Sequence, residues 1–202
     1  MLKKTYTKTV FLSIALMFAL STNVNADTGT AHIKRGSIVG ASSISYWYDS
    51  SLTSYGYKGA FTNAFTKWDV LSNGFGFNET STESGAKVKV YVGSNVLPSN
   101  VIARTEYYIY TSFGGVSQVG SDSVTNGSNF EHARIRYDHV NGYNNGFDIT
   151  ETCGHEVGHV LGLNHFEDAP AHAGNHWMTS PTTDLTSPTS VDTDHLREKW
   201  GY

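Results

Sequence analysis

Two hydrophobic rhythms run along this chain. Ala86–Val92 alternates, with Ala86, Val88, Val90 and Val92 on one side and Lys87, Lys89 and Tyr91 on the other. A period of two marks a strand with one buried face. Tyr57–Leu71 instead spaces Ala60, Phe61, Ala64, Phe65, Trp68 and Leu71 by threes and fours, which predicts an amphipathic helix. Ile44–Tyr48 is rich in β-branched and aromatic residues and predicts a first strand, with a short second one at Phe75–Phe77. Val101–Tyr110 reads as a further strand, although Arg104 and Glu106 interrupt it. Ala133–Tyr137 reads as another, alternating Arg134 and Arg136 with apolar or aromatic neighbours. Gly114–Asn129 is dominated by Gly, Ser and Asn and predicts an exposed loop, and Asn141–Gly146 carries turn signals throughout. Residues 27–43 are mixed and glycine-containing, which predicts a loose arm.

A second helix is predicted from Asp148 onward. Asp148 is a good N-cap, and Glu151 three residues later completes a capping-box-like pair. The helical rhythm runs to about Leu161 and stops at Gly162. The order of strand, helix, strands and helix, with no repeat and no internal linker, predicts one α/β domain.

Composition changes the picture at the N-terminus. Lys3, Lys4 and Lys8 precede or flank an uncharged run from Val10 to Leu20, and Val24 and Ala26 stand before a cut ahead of Asp27. A basic start, a short apolar core and small residues at the cut predict a secretory signal peptide over residues 1–26. The run is shorter than the roughly 20 apolar residues of a membrane span. Removing 26 of the 202 residues leaves 176, a length that suits one domain, residues 27–202. Without the leader's three lysines the formal charge falls from −4 to −7. That acidity argues against nucleic acid or anionic lipid as the main partner. Cys153 is the single cysteine, so no intramolecular disulfide forms. Two residues before His155 on a helix, it turns away from that residue's face and is expected to be a small core residue.

The candidate chemistry lies in His155-Glu156-Val157-Gly158-His159-Val160-Leu161-Gly162-Leu163-Asn164-His165. On a helix, His155 and His159 share one face a single turn apart, close enough to share a metal ion. Glu156 lies about 100° round from His155 and flanks the metal rather than ligating it. Gly162 turns the chain out of the helix, and His165 offers a third imidazole. Three neutral nitrogen ligands with an open fourth position are what a catalytic zinc ion needs, whereas a structural site would take a fourth protein ligand. Water in the open position loses its proton more readily beside zinc. Glu156 is placed to accept that proton and deliver it to a leaving amine.

This segment resembles the elongated zinc signature of the metzincin metalloproteases, and its small, secreted form looks like a matrixin of bacterial type. The resemblance implies that His155, His159 and His165 are the zinc ligands and Glu156 the catalytic base. Metzincins also carry a methionine in a tight turn beneath the zinc, and Met178 in His176-Trp177-Met178-Thr179-Ser180-Pro181 resembles it. The stretch Asp192–Tyr202 resembles the terminal helix of matrixin domains. The implied fold is a single α/β (α+β) catalytic domain, a twisted mixed sheet of about five strands with an active-site helix and a C-terminal helix. By the same analogy Val101–Tyr110 is the edge strand above the cleft, and Ser180–Ser190 forms the wall on the leaving-group side. Three features depart from the family. Residues 27–43 are too short for the usual inhibitory propeptide and hold no cysteine to cap the zinc. Ser180 stands where astacins place a tyrosine ligand, and Phe166–Trp177 is longer than the compact matrixin version.

The expected function is a secreted, extracellular zinc-dependent endopeptidase, probing protein or peptide substrates as a monomer, with one catalytic Zn2+ and no membrane association once the leader is cut. Two alternatives stand beside it: a catalytically narrow or inactive secreted zinc protein that binds rather than degrades its partner, and a zinc hydrolase of a different substrate, such as an amidase acting on cell-wall peptides or a toxin acting on one host protein. Zinc retention without cleavage favours the binding protein, and cleavage profiling separates a broad protease from a narrow one. Calcium at Asp122, Asn126, Asn129 or Asn141–Asp148 finds no loop consensus to support it. Some matrixins carry a structural zinc, which makes His132, His139, His172, His176 and His195 candidates for a second metal site, but their spacings match no ligand pattern and the expectation is exposed or locally hydrogen-bonded imidazoles.

Overall fold

The computed structural model describes residues 30–146, 148–180 and 184–202. The expected leader and part of the Ser180–Ser190 wall lie outside these residues. Among the described residues six strands form one sheet: β1 (Ile44–Tyr48), β2 (Phe77–Glu79), β3 (Val88–Gly93), β4 (Ala103–Tyr110), β5 (Val116–Val119) and β6 (His132–Asp138). Their order is β2-β1-β3-β6-β4-β5. The first four in that order pair in parallel, while β4 runs antiparallel to both β6 and β5. The helices are α1 (Ser50–Ser54), α2 (Lys58–Asp69), α3 (Ser121–Thr125), α4 (His139–Asn145), α5 (Ile149–Val160) and α6 (Ser190–Trp200). None of the described helices is long and apolar enough to cross a membrane.

The two rhythms of the sequence build the core. Ala86, Val88, Val90 and Val92 are all buried, as are Phe61, Ala64, Phe65 and Trp68 on α2. The α2 face packs on the sheet, where Tyr46 stacks on Phe65 with ring centroids 4.1 Å apart. It also packs on α5, where the Trp68 indole donates to the Gly154 carbonyl at 2.8 Å. Trp68 is fully buried and its single polar atom is thereby satisfied. Cys153 is buried, and burial pushes its thiol well above the usual range, consistent with a core residue.

Five expectations need correction. The sheet has six strands because β5 and α3 occupy the stretch expected to be one exposed loop. β5 is mostly exposed and therefore carries no apolar alternation; it is held by backbone pairing to β4 across a Thr111–Gly115 turn in which Gly114 takes φ 77°. Asn141–Gly146, expected as turn, belongs largely to α4. Asp138 caps that helix by accepting from the Val140 and Asn141 amides, and Gly146 ends it in the left-handed region at φ 67°. The Asn141 side chain is buried and donates to the Pro98 and Val101 carbonyls at 2.9 and 2.8 Å, so tertiary partners override its turn preference. The second strand begins at Phe77, two residues later than expected.

Nor is the N-terminal arm loose over residues 30–43. Ile33 bridges Leu163 and Ile38 bridges Phe130, and His32, Lys34 and Ile38 are buried. Finally, β4 is not the edge strand over its whole length. β5 covers Tyr107–Tyr110, while Ala103–Glu106 pair only with β6. The open edge is thus confined to the first half of β4, where it faces α5.

Candidate metal centre

Helix α5 is built to present its histidines. Asp148 accepts from the Glu151 amide at 2.9 Å and starts the helix. Its exit is a Schellman motif: the Leu163 amide donates to the Gly158 carbonyl and the Gly162 amide to the His159 carbonyl, with Gly162 at φ 82°. That reversal swings the chain back so that His165 meets the two helical rings. Ring centroids of His155, His159 and His165 lie 4.5, 5.0 and 4.9 Å apart pairwise. His159 Nε2 and His165 Nε2 are 3.1 Å apart.

The second nitrogens of two rings are held by backbone. His155 Nδ1 donates to the Trp177 carbonyl at 2.7 Å and His159 Nδ1 to the Leu163 carbonyl at 2.8 Å. A ring whose Nδ1 carries the proton keeps the Nε2 lone pair for a metal. Burial, together with His165, pulls His155 down to about 4. Burial and its two neighbouring imidazoles pull His159 well below the ordinary range. Both rings are therefore neutral at pH 7, the state a ligand needs. Three candidate ligand atoms lie within 4.8 Å of one another, so the donor set fits zinc with one coordination position left over.

Glu156 is buried on the adjoining wall. Thr105 of β4 donates to its Oε2 at 2.6 Å. Burial pushes the carboxyl up to about 7, opposed by the Thr105 hydrogen bond and the Arg104 charge. A cleft of about 490 Å³ opens here between β4 and α5, lined by Arg104, Thr105, Tyr107, Glu156, His159 and His165 among others. The Tyr107 hydroxyl donates to the His159 carbonyl at 3.1 Å, tying the strand to the helix end.

Met178 is fully buried against α5 at Gly158. A Cβ on Gly158 would fall inside the Met178 sulfur, and one on Gly154 would stand 2.6 Å from the Trp177 ring. These two glycines, one turn apart, cut a groove in α5 that seats Trp177 and Met178. The turn is held from the other side by Asp192 of α6, which accepts from the Trp177 and Met178 amides at 3.0 and 3.1 Å. Asp192 also takes the Thr189 amide and hydroxyl at 2.7 and 2.8 Å, closing a capping box at the start of α6. Ser180 donates its amide to the Glu167 carboxylate.

The structure brings His155, His159 and His165 together and sets Glu156 beside them in the cleft, while Met178 is buried against Gly158 of the same helix. Sequence reading missed Thr105, Gly154, Gly158 and Asp192. The pair Gly154 and Gly158 at helical spacing was a readable signal, since glycine is costly in a helix interior unless something packs against it. Nothing in the sequence pointed to Thr105 or Asp192.

An antiparallel strand of the mixed sheet thus faces a helix that bears two of three clustered imidazoles and a buried carboxylate. The matrixin family model matches residues 43–193, and the chain belongs to the matrixin family, metallopeptidases that bind a catalytic zinc ion. A comparison with curated proteins returns no match.

Proposed function

We propose that this protein is a secreted zinc endopeptidase in which His155, His159 and His165 hold the metal and Glu156 is the general base. The observation that carries the reading is the Glu156 carboxyl. It is buried beside the three imidazoles, opens on the cleft and is held at Oε2 by Thr105. A non-catalytic zinc protein has no use for a buried carboxylate in that position.

When bound, zinc supplies Lewis acidity that polarises the scissile carbonyl and lowers the pKa of water. The remaining work belongs to the chain. Thr105 engages one carboxylate oxygen, leaving the other to accept a proton from the attacking water. Its affinity for a proton, raised by burial to about 7, suits a group that must both take a proton and give it to the departing amine. The peptide lies extended along the open half of β4, Ala103–Glu106, where unpaired main-chain groups add a strand and alternate side chains fall into the cleft. Residues 1–26 direct the chain out of the cell, and the substrate is protein or peptide met there by a monomer.

The test is a peptide-library digest with purified protein and its Glu156→Ala variant, with metal content measured on both. Zinc retained and cleavage lost in the variant is the expected result. Normal cleavage by the variant overturns the mechanism, and a wild type that holds zinc but cleaves nothing overturns the peptidase reading.

A further inference from the structure

A second group of imidazoles lies away from the cleft. His32 of the N-terminal arm, His172 of the loop after the zinc segment and His195 of α6 place candidate ligand atoms within 4.8 Å of one another. We propose that these three residues form a second zinc site, one that fastens together three remote parts of the chain.

The geometry parallels that of the first trio. Ring centroids are 5.0, 5.5 and 4.9 Å apart pairwise, and His172 Nε2 and His195 Nε2 are 3.3 Å apart. Two nitrogens bound tetrahedrally at a zinc–nitrogen distance near 2.0–2.1 Å stand about 3.3–3.4 Å from each other. His195 Nδ1 donates to the Val191 carbonyl at 2.9 Å, the same backbone device that sets the tautomer of His155 and His159. His32 Nε2 donates to the Asp168 carbonyl at 3.0 Å, which makes Nδ1 its basic nitrogen. His32 and His195 are buried and His172 half-buried. The Phe166 ring packs against all three imidazoles at centroid distances of 4.7 to 5.3 Å. His176, although its ring is 5.9 Å from His172, has both nitrogens engaged, by Thr189 and by the Ala173 carbonyl, and is no ligand.

Imidazole ligands at this spacing select a borderline transition ion such as zinc over calcium or magnesium, which require oxygen. The ion would replace the crosslink that a chain with one cysteine cannot make. Its position also supports the first centre. The Asn164 amide beside His165 donates to the His32 carbonyl at 2.7 Å, and the Phe166 amide donates to the Met178 carbonyl at 2.9 Å. Fixing His32 and His172 therefore holds both flanks of the segment carrying His165 and Met178.

The experiment compares metal content, after dialysis against a weak chelator, in wild type, His172→Ala and His172→Cys. His172 sits in a half-buried loop, so its replacement is the least disruptive of the three. The alanine variant should hold one zinc ion fewer per chain and melt at a lower temperature. The cysteine variant, whose thiolate can ligate, should recover the ion. Equal zinc in wild type and His172→Ala overturns the proposal. A second measurement uses His155→Ala/His159→Ala, which should keep one ion and lose it when His172→Ala is added. An ion that persists after that addition overturns the proposal as well.

Discussion

The two histidine trios have nearly the same internal geometry and different surroundings. Their closest nitrogen pairs are 3.1 and 3.3 Å apart. The first trio takes two rings from one helix and a third from the turn that follows, and it borders an open cleft with Glu156 alongside. The second takes one ring each from the arm, a loop and α6, and closes around Phe166. A carboxylate and room for a substrate make the first suited to hydrolysis. Converging segments and an aromatic plug suit the second to holding the fold. Coordination geometry alone does not separate a reactive centre from a fastening; the neighbouring groups do.

The strongest way to break this contrast is at Glu156. Glu156→Gln is expected to lower kcat/KM by about 10²–10⁴-fold with zinc content unchanged at both trios, because only the proton-accepting group is removed. Retained activity would place the first trio with the second, as a structural site.

Asp192 links the two, since it holds the Met178 turn and lies on the helix bearing His195. Asp192→Ala strands the buried Trp177 and Met178 amides and removes the capping box. A loss of about 3 kcal/mol in urea unfolding is expected, with weakened zinc retention at both sites. Weakening at one site alone would show that the trios are independent.

Gly158→Ala tests the seat of Met178 on the first trio's helix alone. Its new methyl meets Met178 and Trp68, so a cost of about 2 kcal/mol is expected, with catalysis reduced and the His32–His172–His195 site unaffected. A stability equal to wild type in the same unfolding assay would mean that Met178 shifts without penalty.

Asp138 lies at the end of β6, in neither trio, and serves as a control. Burial would raise its carboxyl, but the Leu97, Asn141, Val96 and Asn95 amides outweigh that and hold it below the ordinary range. A carboxylate lowered by folding contributes stability that is complete above its unfolded value of about 3.9 and lost as pH falls through the folded value. Asp138→Asn should cost about 1–2 kcal/mol at neutral pH and flatten this part of the acid-induced loss. An unchanged acid limb in a pH series of unfolding free energies would refute the assignment. The smallest effect is expected for Thr189→Ala, about 1 kcal/mol for a helix cap, read as a modest drop in melting temperature with both metal sites intact.

Legibility of the sequence followed the range of the interactions. The β3 alternation and the α2 periodicity reported buried faces directly, because a residue's place on a face is set by its neighbours in sequence. β5 and α4 were not legible. One is an exposed hairpin strand held by main-chain pairing, and the other is built from turn-forming residues whose preferences are overruled by Asp138 and by the Pro98 and Val101 carbonyls. Of the first site, the trio and Glu156 were readable, whereas Thr105 and Asp192 reach it from distant segments. His172 and His195 had no interpretable spacing and His32 attracted no notice, since their convergence depends on how the arm and α6 dock.

The sequence by itself therefore determined the matrixin-type motif, the helix that carries it, its exit at Gly162 and the buried faces that make the core. All of these are encoded at separations of a few residues, where helix and strand geometry place side chains without reference to the rest of the chain. Tertiary structure alone decided the open half-edge of β4, the Thr105 hold on Glu156, the Asp192 clamp on the Met178 turn and the meeting of His32, His172 and His195. Each of these joins segments far apart in the chain, and their proximity is set by packing rather than by local spacing.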